Sequence, residues 1–398
     1  MPKKILILGG AIAQIPAIIY AKEKGYHVIT CDYLPENPGH KLSDEYYNVS
    51  TTDMESICAL AQELKIDGIV AYASDPAAPT AAYVSEKMKL SANPFNAIDI
   101  LAKKTLFRKF LQDHDFNSPK SIEIFNVEQA YQKSKGLNFP VMVKPDDSSG
   151  SKGVTKVSDP IQLGEALDYA MKFSRNKKCI IEEFVNRVGP QIGGDAFVFD
   201  GKVVFMHLGD QYVNKKCNPF VPTGMLFPSG ISELLKSQIQ EQIQRVIDIL
   251  VIRYCAINIE VMLDSFNKIY LMELGPRNGG NFMPQIINYA TGVDMVRATI
   301  DVSVGEKYNE PEPIYTNNSY AYYAIHSEVD GVLESIEISE QITDFIIEKH
   351  IYMKDGEQVV KFNGSNATLG IILFKFTSYE KGVEILNDIS NYIVVKLK

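Results

Sequence analysis

The stretch VMVKPDDSSGSKGV, residues 141–154, ends an apolar strand in Lys144, runs through aspartates, serines and glycines, and then resumes its apolar pattern. A lysine pointing inward from an apolar strand needs a negative partner, and a phosphate would supply one. Ser148, Ser149, Gly150, Ser151, Lys152 and Gly153 add hydroxyls, glycine-loosened backbone N–H groups and one cation. That is suitable chemistry for a loop closing over phosphates, although the GxxxxGK[ST] spacing of a P-loop is absent. A surface hairpin has the same composition, so the rest of the chain decides.

With 398 residues the chain is too long for one ordinary core, and two or three domains are expected. Hydrophobic content of 45% with 22% charged residues describes a globular protein. A formal charge of -9 argues against a nucleic-acid surface or a polybasic membrane patch and favours small-molecule partners. Cys31, Cys58, Cys179, Cys217 and Cys255 are odd in number, far apart and without a CxxC, which suggests neither a disulfide framework nor zinc and fits a reducing cytoplasm. The N-terminus MPKKILILGGAIAQIPAIIYA is broken by Gly9-Gly10, Gln14 and Pro16 and continues into GYHVITCD, so it reads as part of a domain and not as a leader. No uninterrupted segment approaches the roughly 20 apolar residues of a membrane span.

The opening reads as strand (5–8), glycine turn, helix (15–24), strand (27–31) ending at Asp32, helix (53–64) and strand (68–72), the alternation of a parallel sheet. The turn Gly9-Gly10-Ala11-Ile12-Ala13 lacks the GxGxxG spacing, so a dinucleotide-binding oxidoreductase rests on Asp32 alone. A helix over 98–114 follows, then strands and short helices over 120–230, and an amphipathic helix over 232–253. In that helix Leu235, Ile239, Ile243, Val246, Ile247 and Leu250 recur at helical spacing as core. After about Glu310 a smaller strand-rich module is expected from AYYAIHSEV, ATLGIILFKF and NYIVVKLK.

The hairpin 256–274 carries the firmest geometry. AINIEVML alternates Ile257, Ile259, Val261 and Leu263 against Asn258, Glu260 and Met262. If Asp264 pairs with Ile269, Glu260 falls opposite Glu273 with Cβ atoms about 5 Å apart. Two such carboxylates repel unless one takes up a proton or a cation lies between them. With oxygen ligands and no histidine or cysteine nearby, that cation would be magnesium. A register slipped by two would leave both in water. In ELGPRNGGN (273–281), Arg277 is placed to hold an anionic substrate or a developing negative charge, or to pair with one of the glutamates. CIIEEFV (179–185) ends an apolar strand in Glu182-Glu183, where a carboxylate could accept from an adenine amino group or simply sit exposed.

The order of these signals resembles the ATP-grasp superfamily: Lys104 on a helix, Lys144 ending a strand, the Ser/Gly loop, E-E-F-V, a strand glutamate, then E-x-G-P-R with Gly-Gly. The resemblance covers residues 1 to about 300. It includes YLPENPGHKLSDEYY and ASDPAAPTAAYVSEKMKL, which are similar to substrate-side segments of carboxylate-amine ligases and phosphoribosylglycinamide-synthetase-like members. It implies an α/β and α+β architecture: a Rossmann-like pre-ATP-grasp domain (1–98), an ATP-grasp domain (99–305, lid about 120–185) and a C-terminal α+β module (306–398). It implies ATP and Mg2+ as cofactors, with Lys104 and Lys144 on the α- and β-phosphates and the loop from Ser148 to Gly153 folded over the triphosphate. It places Glu182 on adenine N6, Glu183 and Val185 as backbone partners, Gln191 or Asp195 on the ribose, Glu260 and Glu273 on magnesium, and Arg277 on an acyl phosphate. The family often shows E-x-N-P-R; Gly275 stands at the asparagine position here, so a second metal lacks that ligand unless Asn278 substitutes.

The implied reaction activates a carboxylate as an acyl phosphate and couples it to an amine, with no protein nucleophile; the six histidines form no visible cluster. Asp75, the segment HLGDQYVN (207–214) with Asp210, and Asn281 are the candidate substrate contacts. Residues 1–100 contain no arginine, which counts against a phosphorylated substrate held there. A phosphoribosylglycinamide-synthetase-like or carbamoyl-phosphate-synthetase-like enzyme, and a protein that binds ATP without turnover, are the alternatives. Dimers are common among similar enzymes.

Overall fold

In the structure, a computed structural model, residues 2–91, 93–308 and 312–398 are described. The boundary read near Glu310 lies outside the described residues. Strands β1 (Lys4–Leu8), β2 (His27–Cys31), β3 (Glu45–Tyr47) and β4 (Gly68–Val70) form a parallel sheet in the order β3-β2-β1-β4. Parallel strands are covered on both faces, which is why KILIL is apolar at nearly every position. Ile5 and Ile7 pack with α1 (Ile15–Glu23), while Leu6 and Leu8 pack with α2 (Met54–Leu64) and α3 (Ala78–Met88). Asp53 caps α2 by accepting from the Ser56 N–H at 3.1 Å.

The glycine turn after β1 is already filled. The His40 imidazole occupies the space a Cβ on Gly10 would take, and the Gly39 N–H donates to the Gly10 carbonyl at 2.7 Å. Asp32 accepts from the Leu34 N–H at 3.2 Å and from Asn37 at 2.8 Å. The chain's own 34–42 segment therefore covers the place where a dinucleotide pyrophosphate would lie.

The helix expected over 98–114 is two helices, α4 (Phe95–Ala102) and α5 (Lys104–Asp113), because Lys103 is extended at φ -116°, ψ 121°. Buried Asp146 makes the break. Its carboxylate accepts from the Thr105 N–H and hydroxyl, both at 2.8 Å, and its carbonyl accepts from the Lys104 N–H, satisfying donors at the new helix start.

A second, antiparallel sheet runs β5-β8-β6-β7, from β5 (Ser121–Ile124), β6 (Val141–Pro145), β7 (Thr155–Val157) and β8 (Cys179–Glu183). Helices α6 (Val127–Lys133) and α7 (Leu163–Met171) cover the face carrying Val141, Val143 and Ile181. Met142, Lys144 and Glu182 lie on the opposite face by strand alternation.

The main sheet begins with β9 (Ile192–Phe199), β10 (Lys202–Val213), β11 (Pro222–Phe227), β12 (Tyr254–Leu263) and β13 (Ile269–Gly275). Helix α8 (Glu233–Leu250) buries Ile239, Ile243, Val246 and Ile247 against Ala196, Val198, Ile257 and Ile259. The apolar period runs along one helix face for this reason. On the other side of the sheet, α9 (Met283–Thr291) and α10 (Met295–Ser303) pack on Phe197 and Ala256.

The last strands are β14 (Ser319–Ile325), β15 (Gly331–Ile338), β16 (Ile346–Ile351), β17 (Gln358–Val359), β18 (Gly370–Phe376) and β19 (Ile393–Leu397), with α11 (Tyr379–Asn387) between the final two. β14 pairs with β11, so the main sheet runs β13-β12-β9-β10-β11-β14-β18-β16, while β15, β17 and β19 form a sheet of three. Much of the strand-rich C-terminal region thus extends the central sheet. No described helix is long and apolar enough to cross a membrane.

Candidate active site

Glu260 and Glu273 do face each other, by a route the simple hairpin count misses. Leu263 pairs with Ile269 and Val261 with Leu271, a register that would set Glu260 against Met272. A bulge between Glu260 and Val261 leaves Met272 as the extra residue and brings Glu273 opposite Glu260. Burial, and after it the facing Glu273 carboxylate, push Glu260 up to about 7. The Gln191 amide donates to Glu260 at 2.9 Å, which places Gln191 on this pair and not on a ribose. Among the described residues no cluster of three histidine, cysteine or acidic side chains completes a metal cage. Two carboxylates facing a cleft suit magnesium, which takes one or two protein carboxylates and completes its shell with phosphate oxygens and water.

Across the cleft stands a row of cations. Lys144 pairs with Ile180, so Glu182 is its diagonal neighbour on the same face, and the two form an ion pair. Arg108, from α5, closes on the same carboxylate at 2.8 Å; the Arg108 and Glu182 side chains are 2% and 1% exposed. Burial pushes the Glu182 carboxyl up, but Arg108 and Lys144 together outweigh it and hold it at about 2. Glu182 is therefore committed to two cations and is not a free acceptor for adenine N6. Glu183 turns its carboxylate to the Asn138 N–H at 2.8 Å and donates its own N–H to the Lys120 carbonyl at 2.9 Å; it and Val185 line the cleft. Lys104 donates to the Ser148 carbonyl at 2.7 Å and lies 3.7 Å from Glu273.

Arg277 is clamped at both ends of its guanidinium by Asp75, Nε to Oδ1 and Nη2 to Oδ2, each 2.7 Å. Burial opposes its charge, yet Asp75 holds it above its ordinary value; burial likewise opposes the Asp75 charge, and Arg277 keeps that carboxyl low. Asp75 thus orients Arg277 and is not an open substrate contact. This pair also accounts for Gly275: a Cβ there would lie 2.9 Å from Asp75 Oδ1 and 3.5 Å from the Arg277 guanidinium carbon. A side chain there would press on the clamp. Asn278 does not replace the missing asparagine, being fully buried with its Oδ1 accepting from Thr299 at 3.0 Å.

Ser148, Ser149, Gly150 and Ser151 line the cleft, whereas Lys152 and Gly153 do not. A Cβ on Gly153 would strike Pro145 and Phe173, so that glycine serves packing. The loop rests on two distant segments: the Ser151 hydroxyl donates to the Phe220 carbonyl at 2.6 Å, and Gly150 abuts Ser365. Gly150 has φ +66°, and a Cβ there would fall on Ser365 Oγ. Gly150→Val is therefore expected to lift the loop from the 363–366 turn, at a strain of about 1–3 kcal/mol. Limited proteolysis checks this: cleavage within 148–153 should quicken, and an unchanged rate would contradict the docking.

Two further expected contacts lie elsewhere. Asp195 is fully buried, accepting from Asn258 at 2.9 Å and the Gly279 N–H at 2.8 Å, with burial raising it to about 6; it anchors the 276–281 loop and cannot reach a ribose. Asp210 accepts from the Gly230 N–H at 2.9 Å and the Tyr379 hydroxyl at 2.6 Å, tying β10 to α11. One residue along, on the other parity, Gln211 lines the cleft, as does Asn281. The sequence reading passed over Arg108, Met225, Tyr322 and Ser365, and took in Gln211 only as part of the 207–214 segment. For Arg108 a signal existed, an arginine four residues after Lys104 on a face shared with Phe107 and Leu111. The others are marked only by strand parity or by long-range folding.

All these walls enclose one cavity of about 590 Å³, within the range of ligand sites. The ATP-grasp domain family matches residues 137–285. Residues 137–285 carry an ATP-grasp domain. That span holds Lys144, the 148–153 loop, Glu182, Glu260, Glu273 and Arg277, while Lys104 and Asp75 reach the ATP-grasp cleft from outside it. The carbamoyl phosphate synthase large chain of Caldanaerobacter subterraneus subsp. tengcongensis is 24% identical over 324 residues, 78% of this chain and 30% of that one. The Thermotoga maritima large chain is 25% identical over 326 residues, 78% and 29%. The chain spans under a third of these curated relatives. In structure it resembles phosphoribosylglycinamide synthetase from Anaerococcus prevotii, with a TM-score of 0.76 and 23% identity over all of both chains. It also resembles the L-amino acid ligase from Bacillus licheniformis, with a TM-score of 0.81 and 20% identity over 100% of this chain and 99% of that one. These likenesses show a fold shared over the whole chain.

Proposed function

We propose that the protein is an ATP-dependent ligase that activates a carboxylate as an acyl phosphate and couples it to an amine, releasing ADP and phosphate. One observation carries this: the Glu260–Glu273 pair faces Lys104 and Lys144 across one cavity, closed on a third side by the Ser148–Ser151 loop. We infer a division into a dinucleotide-fold-like N-terminal unit, the ATP-grasp unit and a C-terminal unit that supplies Ser365 to the cleft.

Lys144, held in place by Glu182, and Lys104, held by the Ser148 carbonyl, neutralise phosphate charge and fix the triphosphate. The loop excludes water from the γ-phosphate. The Glu183 carbonyl and the Val185 backbone read the adenine edge. Glu260 and Glu273 would hold Mg2+, which when bound screens the phosphate oxygens during transfer. The substrate carboxylate oxygen attacks the γ-phosphorus as the bond to ADP breaks; the amine then attacks the acyl carbon, and phosphate departs with the carboxylate-derived oxygen. Arg277, oriented by Asp75, stabilises the acyl phosphate charge. The covered glycine turn and the engaged Asp32 weigh against a dinucleotide oxidoreductase.

The test is isotopic. With a carboxylate and amine pair that drives ADP release, ¹⁸O in the carboxylate should appear in the released phosphate. ADP release with no label in phosphate would overturn the acyl phosphate route.

A further inference from the structure

The end of the cleft beyond the carboxylate pair defines what the carboxylate substrate looks like. Gln211 pairs with Met225, and Met225 with Tyr322, so these side chains form one row on the sheet face that carries Glu260. Gly193, the register partner of Glu260, makes room for them: a Cβ there would lie 2.5 Å from Met225 Cε and 2.8 Å from Gln211 Nε2. The thioether and the amide therefore lean across the glycine to the edge of the reacting centre. Asn281 lines the same cavity and completes the pocket from the 276–281 loop. Met225 and Tyr322 are 1% and 2% exposed.

Charge is the deciding feature. Among the described residues lining the cavity, Arg277 faces Asp75, Lys104 faces Glu273, and Lys144 and Arg108 share Glu182; Lys156, Arg187 and Lys215, all exposed, also line it, but none belongs to the Gln211–Met225–Tyr322 row. A phosphate ester or a second carboxylate placed against Met225 and Tyr322 would be desolvated without a cation beside it, which disfavours its binding there. A neutral body gains instead from contact with sulfur and ring, while Gln211 and Asn281 offer amide hydrogen bonds to one or two uncharged polar atoms.

Resting on the ligase assignment above, we infer that the carboxylate substrate carries an uncharged, largely apolar body, as a neutral amino acid or a simple aliphatic or aromatic acid does, and is not phosphorylated. Such a substrate presents its carboxylate to Arg277 and the γ-phosphate and its body to Met225 and Tyr322.

The experiment measures ADP release by the full chain with Mg-ATP and a fixed amine mixture against three classes: neutral apolar monocarboxylates, dicarboxylates and phosphorylated acids. The neutral class should give kcat/KM at least about tenfold above the others. Gln211→Arg, which sets a cation beside the apolar row, should narrow that gap by roughly tenfold by raising the dicarboxylates. ATP affinity measured alongside reports whether the variant keeps its cleft, and the comparison on the unaltered chain stands even if it does not. Highest turnover with a phosphorylated or dicarboxylic acid would overturn the inference while leaving the ligase assignment intact. ADP release that no carboxylate of any class stimulates would remove the ligase assignment and the inference with it.

Discussion

Glu273→Gln is expected to lower ATP turnover by about 10³-fold or more, and Glu260→Gln to do the same, while each raises the thermal stability of the metal-free protein. The two effects have one origin. β12 and β13 hold two carboxylates face to face, and burial and that proximity drive Glu260 toward protonation. A single amide removes the repulsion and keeps the shape, so the apoprotein gains. It also removes half of the anionic seat for a divalent ion, so phosphoryl transfer loses charge screening that no other pair of described carboxylates in the cleft can replace. Steady-state kinetics and thermal melts in chelator check the pair of signs. A variant that lost activity and stability together would point to a structural role alone.

The second large effect concerns Glu182. Replacing it by Gln leaves Arg108, 2% exposed, without its counter-charge, and should cost about 3–5 kcal/mol of stability near neutral pH. The pH dependence follows from the depressed carboxyl. In the unfolded chain Glu182 titrates near the ordinary value of about 4.3, and in the folded protein near 2. Its contribution is therefore fully present above about pH 4.5 and is lost as pH falls from there toward 2. Urea melts over this range should show the wild-type and Glu182→Gln curves converging on the acid side. A gap that stayed constant with pH would show that the ion pair is not the source. Lys144 depends on the same carboxylate, so the variant should also bind ATP more weakly.

Legibility in the sequence followed the range of the forces involved. β1, β2, α2 and α8 were readable because apolar period and caps such as Asp53 and Ser232 are local. The Glu260–Glu273 pairing was readable as chemistry, but its register depends on a bulge at Met272 that the hairpin sequence does not announce. The break at Lys103 was hidden because its cause, Asp146, lies 43 positions on, a separation that follows from the residue numbers alone. Asp75, Asp195, Asp210 and Asn278 were read as contacts for substrate, ribose or a second metal. The partners turned out to be Arg277, Asn258, Tyr379 and Thr299, groups of the chain itself, and only the fold could reveal that they were satisfied internally. Gly275 reads as a loss against the family pattern; in the fold it packs closely against the Asp75–Arg277 clamp.

The central claim is that Glu260 and Glu273 tolerate each other because a divalent ion, shared with nucleotide phosphate, belongs between them. Mn2+ binding followed by electron paramagnetic resonance, with and without ADP, tests it directly on the wild-type chain and on Glu273→Gln. The wild type should bind Mn2+ weakly alone and at least about tenfold more tightly with ADP, and Glu273→Gln should lose that gain. Equal Mn2+ affinity in the two proteins, or no effect of ADP on the wild type, would contradict the account.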